Sequence, residues 1–158
     1  MNELLTIIFN LFILPFEKVL LHKRRQELIT NVKGKVLEIG SGGGVNFNYY
    51  SSKNIELLNV LDLKFNKFIK EMNINYITAN AEKLPFDDKS FDTVVATLVL
   101  CSIDNPNKAL EEIHRVLKDD GKLIFIEHVI PHEKFYRDLA HYLNGTWKKV
   151  GKCNINCD

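Results

Sequence analysis

Apolar and polar positions along this chain alternate between short strand-like runs and stretches of helical period. Lys35-Val36-Leu37-Glu38-Ile39 is a brief apolar run closed by a cluster of glycines, the pattern of a buried strand. Ile55–Leu61 predicts a second strand and Leu63–Met72 a helix after it; Ile74–Thr78 predicts a third strand. Phe91–Leu98, with Thr93-Val94-Val95-Ala96 at its centre, predicts a fourth. Asn107–Leu117 sets Ala109, Leu110, Ile113, Val116 and Leu117 at helical spacing, with Asn105 or Asn107 as the N-cap. Asp120-Gly121 is expected to turn the chain into a fifth strand, Lys122–Glu127, and Pro131–Trp147 reads as a last helix. Strands separated by helices of this length pair in parallel through crossovers. The expected fold is α/β: a Rossmann-like, open, mainly parallel sheet of five strands with helices on both faces. In such sheets ligands bind beyond the carboxyl ends of the strands, so functional residues are expected just after each strand.

Composition narrows the class. A chain of 158 residues, 46% hydrophobic and 26% charged, fits one domain with its own core. Its formal net charge of +1 argues against a dedicated nucleic-acid binder. The basic cluster His22-Lys23-Arg24-Arg25-Gln26 reads equally as a solvated helix face or as a phosphate or lipid contact. Cys101, Cys153 and Cys157 make no disulfide framework, and Cys153 with Cys157 falls short of the four ligands of structural zinc, so no metal is expected. The odd cysteine count and the lack of an export signal favour the cytoplasm. Leu4–Phe16 is apolar but interrupted by Asn10 and Pro15, too short to span a bilayer. It is expected to form a helix over the domain's own pocket, the alternative being a peripheral helix on a membrane surface.

The positions after the strands carry the chemistry. The first strand ends in Glu38-Ile39-Gly40-Ser41-Gly42-Gly43-Gly44. Glycines here allow positive φ and close approach of backbone to a ligand. A dinucleotide fingerprint would need a glycine three residues beyond Gly42, where Val45 stands. The acid at the strand's end suits a ligand ammonium and would repel a pyrophosphate. After the second strand, Asp62 is placed to take hydrogen bonds from ribose hydroxyls. Together they point to a nucleoside ligand.

The third strand is followed by Ala79-Asn80-Ala81-Glu82-Lys83-Leu84-Pro85-Phe86, and the helix ends in His114-Arg115-Val116-Leu117-Lys118. These stretches resemble the class I methyltransferases of the ubiquinone/menaquinone-biosynthesis and "methyltransferase type 11" kind, whose loop reads Asp-Ala-Glu-x-Leu-Pro-Phe and whose helix closes in Arg-Val-Leu-Lys. The resemblance runs from about Phe9 to Cys153. The segments Ser90–Ser102, Phe125-Ile126-Glu127-His128-Val129 and Gly151-Lys152-Cys153-Asn154 further resemble the thiol-methyltransferase-like branch. The resemblance implies S-adenosylmethionine as cofactor and methyl transfer to a small, apolar acceptor: a thiol, a quinone or a lipid-like molecule. It implies that Glu38 and the loop Gly40, Ser41, Gly42 and Gly44 hold the methionine part. Asp62 would then bind the ribose, Leu63 pack on adenine, Asn80 and Ala81 meet the adenine edge, and Thr97 and Leu98 lie beneath the sulfonium.

The domain then reads as one unit over 1–158: an N-terminal helical lid over 1–30, a cofactor-binding core over 34–130, and a C-terminal helix and tail over 131–158. Two departures stand out. Asn80 replaces the family's aspartate, and the family's sixth and seventh strands have no counterpart in the sequence. The fifth strand would be an open edge, covered by a second copy of the chain or left bare by truncation. Cys101, Glu127, His128 and His132 fall near the pocket mouth, and Glu127 with His128 are the expected catalytic pair. The alternatives are a SAM-binding but degenerate domain that needs a partner chain and, more distantly, a nicotinamide-dependent oxidoreductase, which Glu38 and Val45 disfavour.

Overall fold

The computed structural model describes residues 14–65, 74–127 and 133–134. Helix α1 (Leu14–Ile29) leads into β1 (Gly34–Ile39), a 3-10 turn (Val45–Tyr49), β2 (Ile55–Asp62), β3 (Ile74–Thr78) and β4 (Phe91–Thr97). A second 3-10 turn (Leu100–Ser102), helix α2 (Pro106–Val116) and β5 (Leu117–Ile126) complete the order. The strands form one parallel sheet in the order β3-β2-β1-β4-β5, so the chain reverses its direction of travel across the sheet between β1 and β4.

Strand alternation divides the core into two layers. Leu37, Ile39, Leu61 and Val94 pack on one face against Ala109, Ile113 and Val116 of α2. Val36, Leu58, Val60 and Val95 pack on the other against Ile29 and Val32 at the end of α1 and Phe47 and Tyr50 around the first 3-10 turn. The described helices thus cover both faces, as expected. Each fully buried aliphatic side chain contributes roughly 1.5–3 kcal/mol, which is what holds β1, the central strand, in place. Helix α2 starts where the sequence allowed either of two caps: Asn105 takes the role, its side-chain oxygen accepting from Lys108 N, with Pro106 at the first helical position.

Two boundaries differ from expectation. The fifth strand begins directly at Leu117, and the expected turn at Asp120-Gly121 is a bulge inside it. Pairing jumps from Phe91↔Leu117 to Thr93↔Lys122, and Lys118 in the bulge donates to Asp92 Oδ1 at 2.6 Å, which pins it to the start of β4. The fourth strand stops at Thr97, because Leu98 takes φ +53° and leaves the strand geometry. The helices expected at Leu63–Met72 and Pro131–Trp147 fall wholly or mostly outside the described residues, as do residues 1–13 of the expected lid, His132 and Cys153. No described helix is long and apolar enough to cross a membrane.

The recognised loop after β3 is held by one arginine. Arg115 Nη1 donates to Phe86 O at 2.8 Å and Asp88 Oδ1 at 2.7 Å, and Nη2 to Leu84 O at 3.1 Å. Glu112 orients that guanidinium with two 2.8 Å bonds and takes Leu84 N at 2.7 Å. The two motifs are therefore two sides of a single contact.

Candidate functional site

The loops that leave β1, β2, β3 and β4 meet at the carboxyl end of the sheet around a cleft of about 290 Å³. Of the residues the sequence singled out, Gly40, Asp62, Leu63, Asn80, Ala81 and Leu98 line it. Glu82, Val99, Ser102, Ile103 and Asp104 line it too, and the sequence did not single them out. The cleft lies over the β1–β4 reversal, the place where an open parallel sheet leaves room for a ligand.

The glycine loop has the backbone its composition permits. Gly40, Gly42 and Gly44 sit at φ +68°, +51° and +72°. At Gly40 a Cβ would come 2.2 Å from Val99 Cγ2, so the loop after β4 packs directly on the loop after β1. At Gly42 a Cβ would meet nothing within 4 Å, and that open side can admit a ligand against bare backbone. Gly42 N donates to Asp62 Oδ2 at 2.8 Å, and Lys64 N donates to Oδ1 at 3.2 Å, which fixes the carboxylate beside the loop. Ser41 is buried, and its Oγ has no partner among the described residues. A buried hydroxyl in that state calls for a ligand or water.

On the far side of the cleft, Leu63 is 72% exposed, an apolar surface fit for a flat ring. Asn80 Oδ1 accepts from Glu82 N at 2.8 Å and its carbonyl from Lys83 N at 3.0 Å, a turn that an aspartate would also make. Leu98 holds its left-handed backbone at the cleft wall, with its N–H on Ile126 O at 2.7 Å. A non-glycine residue there costs about 1–3 kcal/mol, a strain typical of ligand-binding walls.

Of the other residues the sequence singled out, Ser41, Gly42 and Gly44 stand in the adjoining loop and do not line the cleft, and neither do Glu38 and Thr97. Because Ile39 and Leu61 face the α2 layer, their strand neighbours Glu38 and Val60 point the opposite way. Glu38 is 1% exposed; its Oε1 accepts from Asn46 Nδ2 at 3.0 Å and its Oε2 from the Tyr50 hydroxyl at 2.8 Å. Burial pushes its carboxyl up to about 7 against the pull of those two bonds and of Arg25. Thr97 Oγ1 accepts from Asn46 Nδ2 at 2.8 Å and Arg25 Nη1 at 3.2 Å, and Arg25 also donates to Asn46 Oδ1. The acid at the strand's end is thus tied into a buried polar network beneath the glycine loop. That network includes Arg25, Asn46 and Tyr50, which the sequence reading missed. The signal existed: Leu21, Arg25 and Ile29 recur at helical spacing, and Arg25 is 7% exposed while Lys23 and Arg24 are exposed. The basic cluster is therefore not one solvated face. Among described side chains of α1, none lines the cleft.

Of the expected catalytic pair, Glu127 stands at the end of β5, with Oε1 accepting from Val99 N and Leu100 N, both at 2.8 Å. His128 lies outside the described residues. Cys101 is buried behind the cleft, its Sγ 3.9 Å from Ser102 Oγ.

Comparison with known proteins fits this geometry. Residues 37–125, more than half of the chain, match the family described as "Methyltransferase domain". The chain is 34% identical to the thiol S-methyltransferase TMT1B of Rattus norvegicus over 168 residues, covering 86% of this chain and 69% of that protein. It is 39% identical over 82 residues to the ubiquinone/menaquinone biosynthesis C-methyltransferase UbiE of Blochmanniella pennsylvanica, covering 51% of this chain and 32% of that one. The YcgJ protein from Bacillus subtilis superposes with a TM-score of 0.61 at 25% identity, over 78% of this chain and 56% of its own. The chain therefore spans less than two thirds of two of these three proteins. On sequence, sheet order and cleft, it belongs to the methyltransferase-domain family of class I S-adenosylmethionine-dependent methyltransferases.

Proposed function

We propose that this chain binds S-adenosylmethionine in the cleft and transfers its methyl group to a small apolar acceptor, with a thiol the first class to test. The observation that carries the reading is Asp62 at the cleft, its Oδ2 accepting from Gly42 N of the glycine loop, next to a Ser41 hydroxyl with no partner among the described residues. Family membership implies the cofactor, and the residues present fit it. Gly40 to Gly44 offer bare backbone, Asp62 two acceptor oxygens for a ribose, and Leu63 an apolar face for adenine. When bound, the cofactor supplies an electrophilic sulfonium methyl. The protein's part is then to fix positions and exclude water rather than to supply a metal or a covalent nucleophile. Leu98 and Val99 form the wall next to the reversal point, Leu98 with a left-handed backbone and Val99 with its N–H on Glu127 Oε1.

A thiol acceptor needs the least help, since its thiolate is a strong nucleophile and the proton can leave to solvent. The likeness to a thiol S-methyltransferase supports that choice, and the likeness to a quinone C-methyltransferase makes a quinone the second. The test is incubation of the purified chain with methyl-labelled S-adenosylmethionine and a series of alkyl thiols. Label in a thioether, with one S-adenosylhomocysteine formed per transfer, is the expected result. Saturable cofactor binding with no transfer to any thiol or quinone would reduce the proposal to a binding domain.

A further inference from the structure

We infer that Glu127 is a positioning residue: its carboxylate clamps the loop after β4 through the Val99 and Leu100 amides and so shapes the cleft wall, an inference that rests on the cofactor-binding reading above. After Thr97 the chain must leave the sheet sharply to reach the 3-10 turn at Leu100–Ser102. Leu98 makes that turn at φ +53°, and because strand pairing ends at Thr97 the two amides that follow have no ladder partner among the described residues. Glu127 supplies one. A single oxygen, Oε1, accepts from both Val99 N and Leu100 N at 2.8 Å, and β5 brings it there because Leu98 N pairs with Ile126 O one residue earlier. The side chain thus crosses from one strand end to its neighbour's loop and satisfies two donors at once.

What the clamp holds explains its use. Val99 packs on Gly40 so closely that a Cβ there would come within 2.2 Å of it. Leu98, Val99, Ser102 and Ile103 line the cleft opposite Asp62 and Asn80. Releasing the amides would let Val99 lift from Gly40 and the wall relax from its left-handed turn. The other carboxylate oxygen, Oε2, is buried with no partner among the described residues, so the bonds that tie the group to the β4 loop all fall on Oε1. That is an acceptor's role. A glutamine, whose amide oxygen can take the same two N–H groups, should therefore replace it; an alanine should not, and an aspartate, one methylene shorter, should fall short of both amides.

The experiment follows amide exchange by NMR and S-adenosylhomocysteine affinity by calorimetry in the full chain and its variants Glu127→Gln, Glu127→Ala and Glu127→Asp. In the wild type the Val99 and Leu100 amides should be protected. In Glu127→Ala both should exchange at least tenfold faster while the β1 amides stay protected, and S-adenosylhomocysteine should bind at least tenfold more weakly. Glu127→Gln should keep protection and affinity within threefold of wild type. If Glu127→Ala does not fold, Glu127→Asp reads the same two quantities. Unchanged exchange at Val99 and Leu100 in the alanine or aspartate variant would overturn the clamp. So would a glutamine variant whose amides stay protected but whose affinity falls as far as alanine's, since the charge would then act on the ligand itself. A wild type that binds no S-adenosylhomocysteine would sink the proposed function, and the exchange readout would still decide the clamp.

Discussion

Adding one methyl group at three neighbouring glycines should have three different outcomes. At Gly40 an alanine must hold φ near +68°, which costs roughly 1–2 kcal/mol. Its Cβ would also stand 2.2 Å from Val99 Cγ2 and 2.7 Å from Val99 Cβ, so the β4 loop must shift. Overpacking of that kind costs about 1–3 kcal/mol, and Gly40→Ala should lose roughly 2–5 kcal/mol in total. At Gly42 the backbone cost is similar, at φ +51°, but nothing lies within 4 Å of the new atom. Gly42→Ala should lose only about 1–2 kcal/mol of stability, while its methyl group occupies ligand space and weakens S-adenosylhomocysteine binding at least tenfold. Gly43 has open space and no positive φ, so Gly43→Ala should stay within about 0.5 kcal/mol of wild type. Urea unfolding gives the stabilities and calorimetry the affinities. A Val99→Ala background should return part of the Gly40→Ala loss, because it removes Cγ2, the nearest atom, while Cβ at 2.7 Å stays. Equal destabilisation at Gly40 and Gly42, or no rescue by Val99→Ala, would refute the packing argument.

The buried network offers further tests. Glu38 has a folded pKa raised to about 7 from 4.5, so its stabilising contribution is complete below pH 4.5 and is lost as pH rises through 7. That loss is on the order of 3 kcal/mol, and Glu38→Gln should flatten the stability profile across that window; parallel urea profiles would refute it. Glu112 runs the other way: its bonds from Arg115 and from Leu84 N lower its pKa to about 2. Its contribution is present above pH 4.5 and lost as pH falls toward 2, and Glu112→Gln should shift the acid-unfolding midpoint upward. Arg25→Met removes the donor to Asn46 and Thr97 and should cost roughly 2–5 kcal/mol, whereas exposed Lys23→Ala should change stability by no more than about 0.5. Equal effects at the two positions would contradict the burial of Arg25.

Much of this was legible in the residues. Five strand runs, the glycine loop and Asp62 each rest on a local rule, and all five strands form, with only the end of β4 and the start of β5 displaced; of the two caps the sequence allowed, Asn105 takes the role. Glu38 was a different matter. Its place at the strand's end was readable, but its direction follows from alternation with Ile39 and Leu37, and its partners come from a 3-10 turn without a hydrophobic period. Arg25 was hidden by its charged neighbours, because a run of basic residues hides which one faces inward. The β5 bulge depends on a contact between Lys118 and Asp92, 26 residues apart, which no local pattern carries. The same is true of Glu127, whose partners on the β4 loop precede it by 27 and 28 residues.

The most direct test of the central claim is isothermal titration of the folded chain with S-adenosylhomocysteine, beside Asp62→Ala. One saturable site with a dissociation constant on the order of micromolar is predicted, weakened at least tenfold in the variant, about 1.4 kcal/mol for the lost hydrogen bonds to the ribose. A folded wild type that gives no binding heat, or an Asp62→Ala chain that binds as tightly as wild type, would contradict the assignment of this cleft.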